Sequence, residues 1–70
     1  MAKTFYQAKE YIDLRDDVIP RYSIWTSSEL KRFNLKKSVI DSKFEKIVCF
    51  PSTTFWFFGA RYVAKEDIIR

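Results

Sequence analysis

The tetrad Thr26-Ser27-Ser28-Glu29 fixes one point of this chain more firmly than any other. A Thr hydroxyl can accept from the amide three residues on, while the Glu carboxylate reaches back to the amide of the Thr, so a helix starts here. That helix directs Leu30 and Phe33 inward and Lys31 and Arg32 outward, and it ends near Phe33. Asn34 follows, a residue that tolerates the left-handed conformation of a tight turn. Leu35 then fills the space before a second helix, expected from Lys37 to Lys46, on which Ile40, Phe44 and Ile47 recur at i, i+4, i+7. Its opposite face carries Lys37, Ser38, Asp41, Ser42 and Glu45.

Beyond Pro51 the run Phe55-Trp56-Phe57-Phe58, then Gly59-Ala60, then Arg61-Tyr62-Val63 reads as strand, turn, strand. Glycine at the first central position suits a two-residue type II′ turn, which would pair Phe58 with Arg61, Phe57 with Tyr62 and Trp56 with Val63. Lys65 to Arg70 reads as a last helical turn, returning Ile68 or Ile69 to the core. At the other end Phe5, Ala8 and Ile12 fall at helical spacing, which predicts a short helix from about Thr4 to Asp13, although Ile12 and Leu14 also fit a strand's alternation. Pro20 stops any helix before it. The expected fold is α+β: a small winged helix-turn-helix with a two-stranded β-wing over residues 24–70, preceded by an N-terminal segment, residues 1–23, all in one compact domain.

A chain of 70 residues buries only about 60% of the surface its unfolded form exposes. Its thirteen aromatic residues compensate, since each can bury a large area. The band Phe55–Phe58 therefore reads first as core, with an interaction surface as the alternative. The formal charge of +4 is unevenly placed: residues 1–20 carry a net −1, residues 21–46 a net +4 and residues 47–70 a net +1. The surplus lies on the expected helix-turn-helix, as an electrostatic footprint for phosphate would.

With no histidine and one cysteine, no nucleophile–base pair and no metal-ligand set can be read, so the chain is expected to be no enzyme and to use no metal or cofactor. Asp13, Asp16 and Asp17 read as a solvated acidic turn. Cys49, in the apolar run Ile47–Phe50, reads as a small buried hydrophobe, and a lone cysteine fits a reducing, cytoplasmic setting. No apolar run approaches the roughly 20 residues of a membrane span, and Met1-Ala2-Lys3 opens no signal-peptide core.

The pattern Trp25-Thr26-Ser27-Ser28-Glu29-Leu30, Leu35-x-x-Ser38-Val39-Ile40, Phe50-Pro51 and Gly59-Ala60-Arg61-Tyr62-Val63-x-x-Glu66-Asp67-Ile68 resembles the small winged-helix proteins of the excisionase and MerR-like class, of phages and mobile elements. The resemblance covers about two-thirds of the chain. It implies a sequence-selective duplex-DNA-binding protein: an excisionase-like recombination directionality factor or a small transcription regulator. The implied partners are double-stranded DNA, a recombinase or RNA polymerase, and further copies of the chain on DNA. Helix contacts carry over onto Lys36, Lys37, Ser38, Asp41 and Ser42, and wing contacts onto Gly59 and Arg61. Phosphate contacts are expected from Lys36, Lys37, Lys43, Lys46 and Arg61, with the second helix choosing bases. A different class of function rests on the aromatic band, which would make the chain a small phage-type protein-interaction module that inhibits or redirects a host protein. A third reading, single-stranded bases stacking on the band, ranks last because no basic residue is interleaved with Trp56 and Phe58.

Overall fold

The computed structural model describes residues 2–69 and is dominated by antiparallel sheet. The elements run β1 (Lys3–Ala8), β2 (Ile12–Leu14), β3 (Asp17–Ile19), β4 (Ile24–Trp25), α1 (Ser27–Arg32), α2 (Lys37–Lys43), β5 (Phe44–Cys49), β6 (Thr54–Phe57), β7 (Ala60–Val63) and β8 (Ile68–Ile69). Single 3₁₀ turns, Pro51–Thr53 and Lys65–Asp67, lead into β6 and β8. Six strands form one sheet in the order β6-β7-β4-β1-β5-β8, curled into a half-barrel, and β2 pairs with β3 in a separate hairpin.

This is not a winged helix-turn-helix, and the excisionase-like, recombination and transcription-regulator roles argued from that architecture lose their structural basis. The expected N-terminal helix, Thr4 to Asp13, is instead β1 and the start of β2. Phe5, Ala8 and Ile12 are buried, but β1 is a central strand between β4 and β5, with Phe5 packed on one side and Ala8 on the other. A strand covered on both faces shows no period-two alternation, so its apolar residues can imitate helical spacing. The second helix stops at Lys43, and its supposed stripe continues as β5, with Phe44 in one cluster and Ile47 and Cys49 in the other. The β-branched and aromatic residues of Ile47-Val48-Cys49-Phe50 favour extended backbone, and pairing along all six residues of β1 fixes it. The expected final helical turn is a 3₁₀ turn and the two-residue β8; Arg70 lies outside the described residues.

The local signals around α1 survive. Thr26 caps the helix in a full capping box, its hydroxyl accepting from the Glu29 amide at 3.2 Å while Glu29 Oε1 accepts from the Thr26 amide at 2.8 Å. Asn34 takes the left-handed conformation, φ +59°. By contrast α2 has Lys36 at its N-cap, makes no side-chain cap hydrogen bond and has no buried residue.

The sheet separates two apolar clusters. One joins Ala8, Ile12, Ile19, Trp25, Leu30, Phe44 and Ala60; the other joins Phe5, Ile24, Ile47, Cys49 and Val63. Buried Ser23 is satisfied on both sides: it accepts from the Trp25 indole at 2.7 Å and donates to the Pro20 carbonyl. Burial pushes the Cys49 thiol pKa up, and Asp67 adds to the shift, so the thiol is held in its neutral, inert form.

Candidate interaction site

The turn between β6 and β7 lies one residue earlier than expected, so each β6 residue meets a partner two positions before the expected one. Phe57 lies opposite Ala60, Trp56 opposite Arg61, Phe55 opposite Tyr62 and Thr54 opposite Val63. The turn residues are thus Phe58 and Gly59, both left-handed at φ +52° and +76°, which makes a type I′ turn rather than the expected II′. Because the side-chain period of a strand is two, a two-residue shift changes each partner and leaves every side chain on its expected face. Phe55 and Phe57 share a face with Tyr62, at ring distances of 5.8 and 6.4 Å, and Trp56 faces the other side with Arg61.

Neither face of β6 is covered. Phe55, Trp56, Phe57 and Phe58 are 52, 62, 57 and 89% exposed, and none belongs to either core cluster. The cause is position: β6 is the outermost strand, and β7, through Ala60 and Val63, supplies the last buried side chains on that flank. The aromatic band is a surface, against the first reading of the sequence. Phe57 and Phe58 pack edge to face at 4.3 Å, which holds the tip as one unit.

Beneath the hairpin sits Arg61. Its guanidinium lies 5.2 Å from the Trp56 ring centre and 5.4 Å from that of Phe5, and it grips Glu29 through both nitrogens, at 3.0 and 3.2 Å. Burial alone would push the Glu29 carboxyl pKa up, but hydrogen bonds from Arg61 and Thr26 and the Arg61 charge outweigh it, and the net shift is below the ordinary value. Glu29 therefore serves twice, closing the capping box of α1 and neutralising the one cation of the hairpin. The first role is legible in the sequence; the second links residues 32 positions apart and leaves no local signal.

The nine residues singled out for DNA fall on separate elements. Lys36, Lys37, Ser38, Asp41 and Ser42 are exposed at or on α2, with the Ser42 hydroxyl donating to the Val39 carbonyl. Lys43, which ends α2, pairs with Glu10 at 2.8 Å and holds that carboxyl pKa below its usual value. Lys46 is exposed on β5 opposite Tyr6, Gly59 is at the hairpin tip, and Arg61 is the half-buried partner of Glu29. Only Gly59 and Arg61 belong to the aromatic hairpin. Among the described residues no cluster of three metal-ligating side chains occurs, and no helix is long and apolar enough to cross a membrane.

Compared with known proteins, the chain matches no family model, no curated sequence and no solved structure.

Proposed function

We propose that this protein is a non-catalytic protein-binding module that uses the β6–β7 hairpin as its anchor. The observation that carries this reading is Phe58, a bulky side chain 89% exposed on a left-handed residue. A left-handed non-glycine residue costs about 1–2 kcal/mol, and the first position of a type I′ turn is ordinarily Asn or Asp. Neither folding nor solubility favours phenylalanine there, and strain of this kind concentrates where a contact is made. Aromatic side chains dominate the energetics of protein interfaces, and three more stand beside this one.

Charge favours a protein over a nucleic acid as the partner. From Ile47 to Ala60 the chain carries no charged residue, and the adjacent Arg61 is already paired with Glu29. Binding to a nucleic acid draws most of its affinity from cations facing phosphates, which this hairpin does not offer. The buried lone cysteine fits a reducing, cytoplasmic setting for the same reading.

The test places a photo-cross-linking amino acid at position 58 in cells producing the protein. The expected result is a discrete protein adduct that disappears when Phe57→Ser is added, with the circular dichroism of the purified variant unchanged. A nuclease-sensitive adduct would return the chain to a nucleic-acid function, and no discrete adduct at all would remove the hairpin as an anchor.

A further inference from the structure

We propose that the occupant of this hairpin is a second copy of the same chain, joined edge to edge through β6 about a two-fold axis at Trp56. The inference deepens the protein-binding reading and rests on it.

The two edges of the sheet differ in how they are protected. Natural proteins protect edge strands by keeping them short or by placing charges or proline on them. At one edge β8 is two residues long and follows Lys65, Glu66 and Asp67. At the other, β6 is four residues long with no charge and no proline within it. Such an edge is a template for another strand.

Register supports the same pairing. The pair flanking a two-residue turn, Phe57 and Ala60, exchanges backbone bonds, so alternation sends the N–H and C=O of Trp56 away from β7. The Thr54 amide already donates to the Pro51 carbonyl, which closes the ladder on that side. The outward rung is therefore centred on Trp56. An antiparallel strand of the same sequence satisfies it when Trp56 faces Trp56 of the second copy. Phe55 then faces Phe57 of the second copy, and Phe57 its Phe55. The patch is self-complementary, as a two-fold interface requires, and aromatic pairs form on both faces of the joined sheets.

Area and charge also fit a second copy. Phe55 to Phe58 leave uncovered the equivalent of about two and a half aromatic side chains, roughly 500 Å² per copy. Covering both copies would remove at most about 1,000 Å², the size of a weak, transient interface, so the dimer forms and dissociates with concentration. Although each copy is cationic, the edge carries no charge and Glu29 neutralises the nearby Arg61, so no like charges meet there.

Sedimentation equilibrium over a hundredfold range of concentration tests the proposal. The weight-average mass is expected to rise from one copy, 8.4 kDa, to two and stop there. Trp56→Pro, which removes the outward donor at an edge position where proline is tolerated, is expected to weaken association at least tenfold. Phe58→Ser weakens it less, and Tyr11→Ser, an exposed aromatic outside the hairpin, leaves it unchanged. Because Trp56→Pro could impair folding, a second variant tests geometry. Trp56→Cys places two thiols within disulfide reach across the axis, at a Cα separation of about 5.5 Å, whereas Thr54→Cys does not. Mild oxidation should join the first into a covalent dimer and leave the second unjoined. A wild-type protein that stays a monomer, or grows beyond two copies, overturns the proposal. If a monomer still cross-links from position 58 to another protein, the two-fold dimer alone is wrong; if it cross-links to nothing, the protein-binding reading fails with it.

Discussion

The two hairpins of this protein differ in charge, four residues of eight in Ile12–Ile19 against one of ten in Thr54–Val63, and the more apolar one is the more exposed. In β2–β3, Ile12, Leu14 and Ile19 turn into the core, and the tip, Arg15-Asp16, is charged. In β6–β7 the buried residues are Ala60 and Val63, Tyr62 packs on the core, and the four aromatic residues Phe55 to Phe58 stand in water. The first hairpin spends its apolar surface on folding. The second adds little to the core and keeps its aromatic surface outside. Hydrophobic content is therefore no guide to burial here; the neighbour each strand finds decides it.

The sharpest way to break that comparison is to truncate one residue in each hairpin. Ile19→Ala, at a fully buried site, should cost about 2–4 kcal/mol in a urea melt of the monomer. Phe57→Ser should cost under about 1 kcal/mol while reducing partner binding, because that side chain loses only its contacts with Phe58 and Tyr62. A large loss for Phe57→Ser would make the second hairpin structural after all.

The Glu29–Arg61 pair is where the second hairpin is tied to α1, and it predicts a pH dependence. The folded-state pKa of Glu29 is depressed, so the stabilisation is fully present above the unfolded value and is lost as pH falls through the lower, folded one. Glu29→Gln should cost about 2 kcal/mol at neutral pH, within the range for hydrogen bonds to charged groups. The difference from wild type should vanish in acid below the folded pKa. Denaturant melts at several pH values check this, and equal loss at all pH values would show that the charge contributes nothing.

What could be read from the sequence followed the reach of each signal. The capping box, the left-handed Asn34 and the buried Cys49 are local, and all three stand in the structure. Element type failed where tertiary pairing decided it: β1 and β5 bury residues on both faces and so lose the alternation that marks a strand. The hairpin was visible but shifted, because a glycine fits either central position of a tight turn, and placing it second required accepting phenylalanine in the left-handed region. That acceptance hid the site. A signal was nevertheless present: a charge-free stretch from Ile47 to Ala60 in a chain otherwise rich in charge.

The smallest predicted effect isolates that turn. Phe58→Asn gives the type I′ turn its preferred first residue, relieving about 1 kcal/mol of left-handed strain, and leaves the Gly59 conformation untouched. The contact with Phe57 is lost, which returns part of the gain, so the monomer should be more stable by about 0.5 kcal/mol. The same variant should bind the partner worse. A stability gain coupled to a binding loss is the signature of a residue kept for contact at the expense of folding, and nothing in the β2–β3 hairpin should show it. If Phe58→Asn destabilises the monomer instead, then packing of Phe58 on Phe57 outweighs the strain, and the tip belongs with the first hairpin as a device for folding.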